Sequence, residues 1–131
     1  MAKDEPRISD AEWKVMEILW QQGPCTTAQV CEALADTGWN RNTVATFLTR
    51  LEQKGYLEAL PGTPRQYAAR ADREACLSRE NRSFVQRVYH GSVGMLLAAF
   101  LKESPLAPDE ADQLRKMLDE AEARQKEDGH E

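Results

Sequence analysis

The sequence predicts a mainly α chain with one small β-hairpin wing: an N-terminal winged helix-turn-helix followed by a C-terminal three-helix dimerisation domain. Three observations predict it. Two capped short helices precede a third, at residues 39–55, with an apolar inner face and a polar, cationic outer one. Two short strand segments joined by Pro61-Gly62-Thr63-Pro64 follow at once. From Asp72 onward the apolar residues form helical stripes too thin to make a core by themselves.

The first helix opens at Ser9-Asp10-Ala11-Glu12, a capping box in which the serine oxygen accepts from the Glu12 amide and Glu12 reaches back. Trp13, Met16, Leu19 and Trp20 share one side, and Gly23-Pro24 stops the helix. Thr26-Thr27-Ala28-Gln29 is a second capping box. It opens a short helix with Thr27, Val30, Cys31 and Leu34 on one face, ended by Thr37-Gly38. Asn40 is the expected N-cap of the third helix, and Lys54-Gly55 its stop.

Val44, Phe47, Leu48 and Leu51 make the inward stripe of that third helix. Its opposite face carries Arg41, Asn42, Thr43, Thr46, Arg50 and Lys54, with Glu52 among them. Amides and hydroxyls suit base edges in a DNA major groove, and cations suit phosphates. Asn42, Thr43 and Thr46 are therefore the candidates for base-edge contact, and Arg41, Arg50 and Lys54 for phosphates. An ordinary solvated helix face has a similar composition, and the flanking elements are what favour the groove. Strands at 56–60 and 65–69 form the wing, with Arg65 placed for the sugar-phosphate backbone. A hairpin that only closes the core is the alternative.

Domain boundaries fall at 1–71 and 72–131. Asp72 caps a helix running to about Tyr89, with Leu77, Phe84, Val85 and Val88 as its apolar positions; Gly91-Ser92 breaks it. Val93, Leu96, Leu97, Phe100 and Leu101 then follow helical spacing. After Pro105 to Pro108 the last helix carries Leu114, Met117, Leu118 and Ala121, and ends in a polar tail, 122–131. Such stripes are expected to meet a second copy of themselves, with Val93, Leu96, Leu97, Phe100, Leu101, Leu114 and Leu118 at the interface. Packing onto the winged helix of the same chain is the alternative.

The formal net charge of −5 is unevenly spread. Between Trp39 and Arg70 five cations (Arg41, Arg50, Lys54, Arg65, Arg70) face two acids (Glu52, Glu58), a net of +3, leaving −8 elsewhere. A local basic face on an acidic chain suits a site-specific binder. The three cysteines show no Cys-x-x-Cys spacing, so neither a disulfide scaffold nor a zinc site is expected, and no metal or cofactor. Cys31 reads as a core residue. Cys25, ahead of the second helix, has the N-terminal dipole to lower its pKa, so a thiol switch stays open there. His90, beside Gly91, reads as a helix-end residue. No leader sequence opens the chain, and the run from Val93 to Leu101 is too short to span a bilayer. A cytoplasmic protein without direct membrane binding is expected. No nucleophile–base–acid cluster, phosphate loop or metal spacing supports an enzyme.

Ile8-Ser-Asp-Ala-Glu-Trp13, Val15-Met16, Leu19-Trp20, Trp39 with Thr43-Val44 and Thr46, Arg50-Leu51 and Lys54-Gly55, then Ser83-Phe84, Gly91-Ser92 and Leu97 to Phe100 resemble the penicillinase and methicillin-resistance repressor family (BlaI/MecI, with CopY relatives). The resemblance covers roughly residues 7 to 120. It implies a homodimeric repressor on a near-palindromic operator in double-stranded DNA, induced through a separate membrane sensor-protease. It also implies inactivation by a cut at an Asn-Phe bond, which aligns with Ala99–Phe100; alanine replaces the asparagine. CopY-type sensing through a cysteine-rich tail is not implied, since no cysteine follows Cys76. A winged helix used for protein contact, and a ligand- or thiol-responsive regulator of the multidrug-resistance type, are the other function classes.

Overall fold

The computed structural model describes residues 6–128. Its elements run α1 (Asp10–Gln22), β1 (Cys25–Thr26), α2 (Thr27–Ala33), α3 (Arg41–Lys54), β2 (Leu57–Leu60), β3 (Gln66–Ala69), α4 (Arg73–Tyr89), α5 (Val93–Glu103) and α6 (Pro108–Asp128). A 3₁₀ turn at Ala35–Thr37 joins α2 to α3.

Local chemistry sets these boundaries. Both capping boxes form: Ser9 Oγ accepts from the Glu12 amide while the Ser9 amide donates to Glu12, and Thr26 and Gln29 repeat the exchange at α2. Asn40 Oδ1 accepts from the Thr43 amide at 2.8 Å to start α3. Gly55 ends α3 in the left-handed region, at φ 90°, which a side chain rarely adopts. Asp72 caps α4 through the Ala75 amide, and Ser92 caps α5 through that of Met95. His90, at φ 54°, and Gly91 part α4 from α5.

β2 and β3 pair antiparallel as the wing, with Ala59 opposite Tyr67. The sheet has a third member that the sequence pattern did not reveal. β1 pairs with β3, Cys25 opposite Tyr67, so the order is β1-β3-β2.

The chain divides into two compact units, Met1–Arg82 and Ser83–Glu131. The first holds the core: Val15, Met16, Leu19, Val30, Val44, Leu48, Leu51 and Leu57 are all but sealed from solvent, and Ile8, Cys25, Tyr56, Tyr67 and Cys76 join them. Cys76, not Leu77, is the buried residue of early α4. It draws the start of that helix into the first unit, which therefore extends beyond Ala71. Arg73 on Glu17 and the Trp20 indole donating to the Ala71 carbonyl fasten the same junction. In the second unit no described residue is buried. Phe84, Val88, Val93, Leu97, Phe100 and Leu118 all stand exposed there.

Candidate nucleic-acid interface

Buried Val44, Leu48 and Leu51 seat α3 on the core, and Trp39 packs edge-on to Phe47, ring centroids 5.0 Å apart. What remains outward is a row at i, i+4, i+7 and i+11: Asn42, Thr46, Thr49 and Gln53, every one exposed. Sequence reasoning singled out the first two. Thr49 and Gln53 were missed, although the same periodicity, run on for one more turn, finds them. Thr43 sits on the flank, half-buried.

Thr46 Oγ1 donates its hydrogen to the Asn42 carbonyl at 2.9 Å, so its lone pairs point outward as acceptors. An acceptor held in this way suits a base amino group. Arg41 and Arg50 flank the row, exposed, and Arg65 is exposed on the wing; no ion pair among the described residues engages any of the three.

Lys54 departs from its expected place on a phosphate. Its ammonium turns inward to Glu12 Oε1 at 2.6 Å and to the Arg7 carbonyl at 2.8 Å. The Glu12 side chain is only 2% exposed, so leaving it would strand a buried charge. Burial by itself pushes the Glu12 carboxyl up. Lys54 and the Ser9 amide outweigh that and hold it below its ordinary value.

Cys25 also departs from expectation. The thiol is buried, beside the Gly23 carbonyl, and burial raises its pKa instead of the helix N-terminus lowering it. It is a core residue of β1, within the sheet, while Cys31 is the half-buried one.

The family profile described as penicillinase repressor matches residues 8–120. The chain belongs to the penicillinase repressor family. The penicillinase repressor of Bacillus licheniformis is 32% identical over 127 residues, covering 95% of this chain and 99% of that one. The methicillin resistance regulatory protein MecI of Staphylococcus aureus (strain N315) is 28% identical over 113 residues, 85% of this chain and 92% of that one. The crystal structure of apo MarR from E. coli shares the fold, with a TM-score of 0.51 at 19% identity over 87% of this chain and 77% of that one. As a penicillinase repressor family member the protein is a DNA-binding transcriptional repressor, not an enzyme. No helix among its described residues is long and apolar enough to cross a membrane.

Proposed function

We propose that the repressor binds a near-palindromic operator in double-stranded DNA as a homodimer, one α3 per half-site. The outward row of α3 carries this reading: exposed acceptors and amides at Asn42, Thr46, Thr49 and Gln53 between the cations Arg41 and Arg50. Such a helix presents hydrogen-bonding groups to a groove floor and charge to both rims. Thr43 serves the floor from the flank, and Arg65 reaches the backbone from the wing. A gel shift with the DNA upstream of the protein's own gene tests it. The expected result is a complex that unrelated DNA does not compete away; equal competition overturns it.

Pairing is proposed through Ser83–Asp128. Val93, Leu97, Phe100 and Leu101 stand exposed on α5, and Leu118 on α6, while Leu96 and Leu114 are half-buried beside them. Exposed apolar side chains gathered on two helices support an interface there. We place the protein in the cytoplasm, with no cofactor.

Release is proposed to follow a cut at Ala99–Phe100 by a partner protease whose specificity differs from that for an Asn-Phe bond, a separate membrane sensor-protease being the candidate. The bond lies inside α5, and within a single chain Phe100 is exposed and no residue of α5 is buried, so an unpaired chain offers the bond more readily than a dimer does. Mass spectrometry of the repressor from induced cells tests this, and an intact chain under full induction overturns it. A ligand is the competing trigger, favoured by an apolar groove of 620 Å³ between α5 and α6, lined by Leu97, Leu101, Leu106, Leu114 and Leu118. A small molecule that raises the melting temperature and releases DNA from uncut protein would establish that trigger.

A further inference from the structure

The inward turn of Lys54 belongs to a larger arrangement. The backbone of Pro6 and Arg7 is held at both carbonyls by the end of α3: Lys54 donates to the Arg7 oxygen, and the Tyr56 hydroxyl donates to that of Pro6. The other side of this strap meets α4. The Arg7 guanidinium lies 3.1 Å from Glu80 Oε2, and Arg79 Nη1 donates to the Tyr56 hydroxyl at 3.3 Å. Beneath it, Lys54 closes on the buried Glu12 of α1. Lys54, the last residue of α3, is thus tied to α1, and Tyr56, two residues beyond the helix, is tied to α4.

We propose that Lys54, Glu12 and Tyr56 are positioning residues for DNA recognition, fixing the angle at which the outer face of α3 meets the groove. The proposal rests on the α3 reading given above. The apolar row Val44, Leu48 and Leu51 sets how deep α3 sits, but apolar contact has no direction and permits a small roll or slide. An ion pair and two carbonyl clamps at one end remove that freedom. Asn42, Thr46, Thr49 and Gln53 then face the bases in one register. Lys54 contributes without touching DNA.

The test uses the full-length dimer on its upstream DNA and on random DNA, over a salt series. The variants are Lys54→Met, Glu12→Gln, the double variant and Tyr56→Phe, with active protein counted by stoichiometric titration. Each single variant is expected to lose roughly tenfold in specific affinity, with random-DNA binding and salt slope unchanged. The double variant should be no worse than the worse single. Arg50→Gln is the control that does flatten the slope. If Lys54→Met flattens the salt slope by about one unit and weakens both DNAs equally while Glu12→Gln binds like the parent, Lys54 is a phosphate contact and the proposal falls. Variants that bind like the parent per active molecule reduce the strap to a stability element and also overturn it. Should the charge variants not fold, Tyr56→Phe, which removes one hydroxyl, decides by the same readouts. A parent that fails to bind upstream DNA overturns the α3 reading and the positioning role with it. A binding parent with indifferent variants overturns the positioning role alone.

Discussion

The Thr46 hydroxyl, already donating to the Asn42 carbonyl, has only acceptors left for DNA. Thr46→Ala is therefore expected to lose about 1–3 kcal/mol of operator binding, the range of one specific base contact, with random-DNA binding unchanged. Competition titration measures it, and parental affinity would mean that α3 docks on another face. Glu12 gives a pH prediction. Its carboxyl is lowered in the fold, so ionised Glu12 contributes stability at neutral pH. As pH falls below the ordinary 4.5 the unfolded chain takes up the proton first, and the contribution disappears through the lowered folded value. Melting temperatures of the parent and Glu12→Gln should converge on acidification; a constant gap would show that the carboxyl carries no charge in the fold. The outward face of α3 was legible because helical periodicity is local. The inward turn of Lys54 was not, since its partner lies 42 residues away on another helix.

Helix ends were the most legible feature at the scale of elements. Ser9, Thr26, Asn40 and Asp72 each cap through a bond spanning three residues, which a short window contains; Ser92, read only as a breaker, caps α5 in the same way. Gly55→Ala would leave open space around its new methyl group but force alanine to φ 90°. The expected loss is about 1–2 kcal/mol in chemical denaturation, with α3 still formed. β1 escaped detection because two residues, Cys25 and Thr26, are too few to show alternation, and Thr26 doubles as the α2 cap. The extent of the first unit was hidden for a related reason. α4 runs unbroken from Arg73 to Tyr89, so no breaker marks Arg82, and its buried residue is a cysteine, Cys76, in a polar stretch.

For the whole molecule, the contrast between a sealed first unit and a second unit with no buried residue among those described makes pairing the central expectation. Leu97→Asp should sediment as a monomer and bind operator far more weakly, with the salt slope roughly halved because one set of phosphate contacts is lost. A dimer that survives the change would move the interface off α5. The bare apolar faces of α5 and α6 have a consequence for dosage. A segment that gains its interior only from a second copy folds and pairs in one event, so its melting temperature should climb with protein concentration. In the dilute regime the amount of dimer follows the square of the number of chains. A halved supply of repressor then leaves about a quarter of the operator-binding species. A repressor that pairs as proposed would act as a census of its own copies, and modest losses of protein would open the gene much further than for a lone reader.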